Sequence, residues 1–91
     1  MSIKKVGVVG AGTMGNGIAQ VCAAAGVSVA MLDVSQAALD RGLATVRQSL
    51  ERMVAKGKLS EPERDAILGR IRPTLNQTDL ADADLVVEAA T

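Results

Sequence analysis

Two kinds of hydrophobic pattern alternate along this chain. Nearly continuous apolar runs occupy residues 3–9, 27–32 and 84–90, and a shorter extended stretch covers 73–75. Strands of a parallel sheet that is covered by helices on both faces have such runs, because neither face is lined by polar residues. These segments therefore predict four strands, and the run at 84–90 is expected to be buried.

Between the predicted strands, apolar residues recur at spacings of three and four, which indicates helices. The first helix is predicted at residues 14–25, with one face made of Met14, Ile18, Val21, Cys22 and Ala25. The second is predicted at residues 35–56, beginning at a serine cap and ending before a glycine. Its apolar stripe consists of Leu39, Leu43, Val46, Leu50 and Met53.

The segment that follows the second helix predicts another helix packed against it as a hairpin. Ser60 and Glu63 have the spacing of a capping box, and Pro62 suits a first turn. The expected buried face consists of Ile67, Leu68 and Ile71, and a single helical turn is expected at 80–83. Strands that alternate with helices predict an α/β fold with a parallel sheet and right-handed crossovers.

The turn after the first strand carries a Gly-x-Gly-x-x-Gly motif at Gly10, Gly12 and Gly15. Gly10 would allow the sharp turn into the helix, Gly12 would let a pyrophosphate approach the backbone, and Gly15 would let the helix pack closely on its strand. The unpaired N–H groups at the start of that helix would then face the phosphates. The motif therefore predicts dinucleotide binding.

An acidic residue stands where a dinucleotide site needs one. Asp33 lies 18 positions after Gly15, at the end of the second apolar run. Its carboxylate would accept hydrogen bonds from the ribose hydroxyls and would repel a 2′-phosphate, which favours NAD over NADP. A mononucleotide P-loop is the rival, but Asn16 and Gly17 stand where that motif requires Lys and Ser or Thr.

Composition narrows the classes of function. The 91 residues carry no net charge and no basic cluster, which argues against binding to nucleic acid or to an anionic membrane. A single cysteine, Cys22, and a start that leads directly into a strand favour a cytoplasmic protein without a signal peptide. The chain has no His and no aromatic residue, so we expect no metal site and an adenine pocket with aliphatic walls.

Three stretches together resemble the start of a 3-hydroxyacyl-CoA dehydrogenase: residues 10–20, Asp33, and residues 84–90. The resemblance extends from Ile3 to Thr91 and is greatest to the short bacterial branch that acts on 3-hydroxybutyryl-CoA. It implies a Rossmann-type sheet, truncated at about four strands, with a helical hairpin after the second strand. It also implies interconversion of an L-3-hydroxyacyl-CoA and a 3-ketoacyl-CoA by hydride transfer to NAD.

The resemblance further implies which positions contact ligands. Those expected to bind NAD are Gly10, Ala11, Gly12, Thr13, Met14, Gly15, Asp33, Ala89, Ala90 and Thr91. The positions that hold the coenzyme A of the substrate correspond to Ser49 and Lys56. These two lie seven residues apart on one flank of the second helix, roughly 90° from its apolar stripe. Lys56 also fits a solvated lysine at a helix C-terminus.

The same resemblance places the catalytic His, its Glu partner, and the substrate-binding Ser and Asn beyond Thr91. We therefore expect residues 1–91 to be the N-terminal portion of a dinucleotide-binding domain and to be inactive alone. The remaining sheet strands, and a C-terminal helical domain through which the parent protein forms a homodimer, are expected to lie outside this chain. No catalytic residue is assigned within it.

Two other functions remain open. A dehydrogenase of the 6-phosphogluconate or 3-hydroxyisobutyrate type shares a similar glycine-rich start, although the long helix and the hairpin after Asp33 count against it. A non-catalytic binding or structural protein on the same fold, like the lens crystallin related to this family, is the other alternative. The sequence beyond Thr91 would distinguish them.

Overall fold

Residues 2–89 are described by a computed structural model of the chain. Its strands are β1 (Lys5–Val9), β2 (Ser28–Leu32), β3 (Ile71–Thr74) and β4 (Leu85–Glu88). Its helices are α1 (Thr13–Ala24), α2 (Gln36–Ala55) and α3 (Glu61–Arg70), followed by a 3-10 turn (Gln77–Leu80). Within this range, no helix combines the length and the apolar character needed to cross a membrane.

The four strands form one parallel sheet in the order β3-β2-β1-β4. Val6 is paired with Val29 of β2 on one side and with Leu85 of β4 on the other. The chain therefore builds outward from β1 to β3 and then returns to the opposite side of β1. The predicted parallel α/β fold is confirmed, and the strand order reverses between β1 and β4, where such sheets bind ligands.

The helical hairpin is also confirmed, with the predicted caps. Ser35 accepts a hydrogen bond from the N–H of Ala38 at 3.2 Å and starts α2. Ser60 and Glu63 form the reciprocal capping box that starts α3. The α2 stripe belongs to the hydrophobic core that also contains Val8. Leu39, Val46 and Leu50 are fully buried, and Leu43 and Met53 are partly buried.

The predicted buried face of α1 is only partly correct. Ile18 and Cys22 are partly buried and pack against the core, as predicted. Met14 and Val21 are 57% and 70% exposed, whereas the buried residues of this helix are Gly15, Asn16, Ala19 and Ala23. The helix turns its small residues toward the sheet because it approaches β1 so closely that a Cβ on Gly15 would overlap the carbonyl of Gly10. The large apolar residues at the ends of α1 are thereby directed outward.

The prediction of a buried strand at 84–90 is also wrong for this chain. β4 is an edge strand that pairs with β1 alone among the described strands, and Leu85 and Val86 are about half exposed. Residue 90 lies outside the described range. An apolar run predicts a strand in a parallel sheet, but it does not show on how many sides that strand is paired.

Two short elements are shifted from their predicted positions. β3 begins at Ile71, directly after α3, and ends at Thr74, so Leu75 falls outside it. The helical turn covers 77–80 instead of 80–83, because the side chain of Asn76 accepts the N–H of Thr78 and starts the turn earlier. Leu80 lies over Gly7, where a Cβ would come within 2.8 Å of the leucine side chain.

Candidate cofactor site

Residues 10–12, hereafter the glycine turn, connect β1 to α1 and are bonded to the end of β2. Gly10 has a φ of 103°, which a residue with a Cβ rarely adopts, and its N–H donates to the carbonyl of Leu32 at 2.7 Å. Gly15 packs against the backbone of Gly10 so closely that no side chain fits. The roles predicted for the first and third glycines are therefore those that the geometry requires.

The start of α1 is open. Gly12 is the N-cap in an extended conformation, no side chain caps the helix, and its first turn carries no acidic residue. A Cβ placed on Gly12 would meet no described atom within 4 Å. No side chain therefore bonds to the first N–H groups of the helix, and together with the helix dipole they form an arrangement suited to a phosphate. Thr13 and Met14, the first two residues of the helix, are both exposed.

Asp33 faces the glycine turn. One carboxylate oxygen accepts the backbone N–H of Ala11 at 2.9 Å, and the other accepts the N–H of Ser35 at 3.2 Å. The hydrogen bond from Ala11 is the largest of the effects that lower the pKa of Asp33 below its ordinary value of 3.8. The group is therefore an anion at neutral pH, and each oxygen keeps a lone pair for a further donor such as a ribose hydroxyl.

Asn16 stabilises the turn from beneath, and sequence reasoning missed this role. Its side chain is only 8% exposed, and its Nδ2 donates to the carbonyl of Gly12 at 2.7 Å and more weakly to that of Ala11 at 3.4 Å. These hydrogen bonds tie the start of α1 to the two carbonyls that precede it. The available signal was the amide side chain of Asn16 directly after the third glycine, at a position that faces the core.

Gly42 is a second residue that sequence reasoning missed. It lies in the middle of α2, where a Cβ would approach the carbonyl oxygen of Ala11 to 2.6 Å. The absence of a side chain therefore lets α2 pack directly against the glycine turn. The available signal was a glycine inside an otherwise strong amphipathic helix. Glycine lowers the intrinsic stability of a helix, so its presence there indicates a packing requirement.

Two adjoining clefts lie at the carboxyl ends of the strands. The first has a volume of about 240 Å³ and is lined by Val9, Gly10, Leu32, Asp33, Val34, Leu75 and Gln77. The second, of about 530 Å³, is lined by Val9, Leu32, Gln77, Leu80, Ala81, Val86 and Glu88. Their walls are largely aliphatic, as the lack of aromatic residues predicts. The second cleft adjoins β1 and β4, between which the strand order reverses, and Asp33 stands at the wall of the first cleft.

The predicted contacts at the end of β4 are only partly described. Ala89 is buried and donates its N–H to the carbonyl of Val9 at 2.9 Å. It therefore lies at the carboxyl ends of the strands, as the glycine turn does. Ala90 and Thr91, also predicted to contact the cofactor, lie outside the described residues.

The sequence matches the family model for the 3-hydroxyacyl-CoA dehydrogenase NAD-binding domain over residues 5–91. This chain belongs to that family. Its cofactor is therefore NAD, as predicted, and the open helix start, the Asp33 carboxylate and the aliphatic cleft fit that dinucleotide.

Similar proteins in the 3-hydroxyacyl-CoA dehydrogenase family are known from several bacteria. The crystal structure of (S)-3-hydroxybutyryl-CoA dehydrogenase PaaH1 from Ralstonia eutropha superposes with a TM-score of 0.96 at 52% identity, over 99% of this chain and 32% of that one. A 3-hydroxybutyryl-CoA dehydrogenase from Mycobacterium tuberculosis is 48% identical over 97% of this chain and 31% of its own length. One from Bradyrhizobium diazoefficiens is 50% identical over 88 residues. The chain thus spans about a third of the length of these relatives.

Ser49 and Lys56 lie on α2, away from the glycine turn. Ser49 is partly buried, and its Oγ accepts a hydrogen bond from Nε2 of Gln20 on α1 at 3.0 Å. Lys56 is the exposed C-cap residue. The structure thus places one residue between helices and the other in solvent, and their assignment to coenzyme A stays a prediction.

Proposed function

We propose that this chain is the NAD-binding portion of an enzyme that interconverts an L-3-hydroxyacyl-CoA, specifically 3-hydroxybutyryl-CoA, and the 3-ketoacyl-CoA. The observation that carries the proposal is the pairing of the Asp33 carboxylate with the Ala11 N–H beside the open start of α1. Family membership supports it, as does the recurrence of this activity in the names of relatives about half identical to the chain.

Within this proposal, the residues divide the dinucleotide between them. The N–H groups at the start of α1 bind the pyrophosphate, and Asp33 binds the ribose hydroxyls of the adenosine. The negative charge of Asp33 disfavours the 2′-phosphate of NADP. Ala89, Ala90 and Thr91 are further positions proposed to contact the cofactor. When bound, NAD would accept the hydride from the carbon that carries the hydroxyl group of the substrate.

The flank of α2 around Ser49 and Lys56 is proposed to bind the coenzyme A of the substrate. Arg52 lies three residues after Ser49 and four before Lys56, so it belongs to the same flank. The two cations stand one turn apart near the end of α2, and both are exposed. Phosphates of coenzyme A carry the complementary charge, so Arg52 extends the predicted site by one residue.

The rest of the reaction is assigned to the natural polypeptide that contains this chain, hereafter the complete enzyme. We propose that it carries the catalytic His and Glu beyond Thr91, and forms a homodimer through a C-terminal helical domain. We propose a cytoplasmic location, which the single, partly buried cysteine supports, and no binding to nucleic acid or membrane, which the zero net charge supports.

The test is a comparison of substrates with the complete enzyme. We expect (S)-3-hydroxybutyryl-CoA to be oxidised with NAD at a higher kcat/KM than with NADP, measured by the absorbance of the reduced cofactor. Turnover of 6-phosphogluconate or 3-hydroxyisobutyrate instead would favour the other dehydrogenase group. Binding of NAD without turnover of any of the three would favour a crystallin-like scaffold.

A further inference from the structure

A side-chain hydrogen bond joins α1 to the proposed coenzyme A flank of α2. Nε2 of Gln20 donates to Oγ of Ser49 at 3.0 Å, and both side chains are partly buried between the helices. Gln20 stands one turn after Asn16 on α1. Helix α1, which begins at the glycine turn, therefore also contacts Ser49, the residue predicted to bind the substrate.

The hydroxyl of Ser49 differs from that of its neighbour Thr45. Thr45 donates its hydroxyl hydrogen to the carbonyl of Arg41, four residues earlier, at 2.9 Å. This is the common arrangement for a hydroxyl inside a helix. Ser49 instead accepts from Gln20, and within residues 2–89 the structure gives its hydrogen no acceptor. A hydroxyl has one hydrogen to donate, so this hydrogen is left for a group outside the described chain.

We propose that Gln20 is a positioning residue that holds Ser49 as a hydrogen-bond donor toward coenzyme A. By filling one lone pair of the Ser49 oxygen, the Gln20 amide turns the hydroxyl hydrogen away from α1, toward the flank that also carries Arg52 and Lys56. The acceptor there is a phosphate oxygen of the substrate, the group that the two cations also attract. This inference rests on the proposed function, since it concerns the same substrate.

A double-mutant cycle in the complete enzyme tests the proposal. The variants are Gln20→Met, which keeps the length of the side chain but removes its donor, Ser49→Ala, and the two combined. At saturating NAD we expect each single variant to raise the KM for the acyl-CoA about fivefold, the effect of one hydrogen bond. Because both act through one hydroxyl, the combined variant should raise it no further. The kcat and the KM for NAD should stay unchanged.

The matched control is Gln48→Met, which makes the same replacement at an exposed position of α2 and should leave the KM for the acyl-CoA unchanged. If Gln20→Met does not fold, Gln20→Glu takes its place, because it differs by one group and also cannot donate. Additive effects of the two substitutions, or an equal rise in the KM for NAD, would overturn the role of Gln20.

The outcomes also separate this inference from the proposed function. If Ser49→Ala and Lys56→Ala both leave the KM for the acyl-CoA unchanged, the proposed coenzyme A flank is wrong, and the role of Gln20 is refuted with it. If those two variants raise that KM but Gln20→Met does not, the flank stands and only the positioning role is refuted.

Discussion

The carboxylate of Asp33 accepts the backbone N–H of Ala11 at 2.9 Å, although 22 positions separate the two residues in the sequence. The contact ties the end of β2 to the turn between β1 and α1. It also fixes the distance between the group that would hold a ribose and the helix start that would hold a pyrophosphate. In the proposed function, these two groups are held at a fixed separation before the cofactor binds, which lowers the entropic cost of binding.

Replacing Asp33 should weaken the preference for NAD. In Asp33→Asn of the complete enzyme, we expect the ratio of kcat/KM for NAD to that for NADP to fall about tenfold or more, because the charge that repels a 2′-phosphate is lost. The measurement is initial rate with each cofactor. Asp40→Asn is the control, since it removes an exposed carboxylate on α2, away from the glycine turn. An unchanged ratio in Asp33→Asn would assign cofactor choice to another residue.

Gly42 offers a prediction in which packing opposes intrinsic helix propensity. In an exposed helix, glycine to alanine adds up to about 1 kcal/mol of stability. At Gly42 the added Cβ would lie 2.6 Å from the carbonyl oxygen of Ala11, so we expect Gly42→Ala to lower the free energy of unfolding by about 1–3 kcal/mol. The KM for NAD should rise with it, because the displaced carbonyl belongs to the glycine turn.

Gly69 provides the matched control for that substitution. It also lies within a helix, α3, but a Cβ there would meet no described atom within 4 Å. We therefore expect Gly69→Ala to leave the free energy of unfolding unchanged or to raise it by up to about 1 kcal/mol. Denaturant unfolding of both variants measures the difference. Equal effects at the two positions would show that α2 does not press on the turn.

These residues show how far the sequence predicts the structure. The glycine motif and Asp33 were predictable because each has a local mechanical role that only a few residue types can fill. The roles of Asn16 and Gly42 were not, since both depend on how closely α1 and α2 approach the turn. The same close approach buries the small residues of α1 and leaves Val21, which was predicted to be buried, exposed. Hydrophobic periodicity reports which residues are apolar, but the packing distance decides which of them are buried.

The edge strand β4 was predicted correctly as a strand, but its burial was not. The apolar character of β4 predicted a strand correctly, and its register beside β1 agrees with a parallel sheet. Its burial was mispredicted because burial depends on neighbours on both sides, and the described chain provides only one. For Ser49 and Lys56, the sequence predicted a shared flank of α2. The contact between Ser49 and Gln20 was not predictable, because it joins two helices and the hydrophobic pattern of each helix reports only on that helix.

The start of β1 should make stability depend on pH through Asp84. Its carboxylate accepts the backbone N–H groups of Lys4 and Lys5 at 2.8 and 3.0 Å, and these bonds lower its pKa below 3.8. A carboxyl group whose pKa is lower in the folded state stabilises the fold fully above its unfolded pKa, and this contribution is lost as the pH falls through the folded pKa.

We therefore expect Asp84→Asn to have a lower Tm than the unmodified protein at neutral pH, with the two values converging as the pH falls below 3.8. Thermal unfolding followed by circular dichroism across this range measures the difference. Asp40→Asn serves as the control, because the Asp40 carboxylate accepts only a side-chain amide, that of Gln36, among the bonds of the described chain. A Tm difference for Asp84→Asn that does not change with pH would refute the role of its charge.

Lys56 and Arg52 allow the coenzyme A flank to be tested by charge. Both are exposed near the end of α2, so we expect Lys56→Ala in the complete enzyme to raise the KM for the acyl-CoA about three- to tenfold, and addition of Arg52→Ala to raise it further. Because exposed charges are screened, these effects should shrink as the salt concentration rises. Lys58→Ala removes an exposed lysine two residues further on and should change little. If Lys56→Ala and Lys58→Ala have the same KM, Lys56 is an ordinary solvated lysine and its charge plays no part in substrate binding.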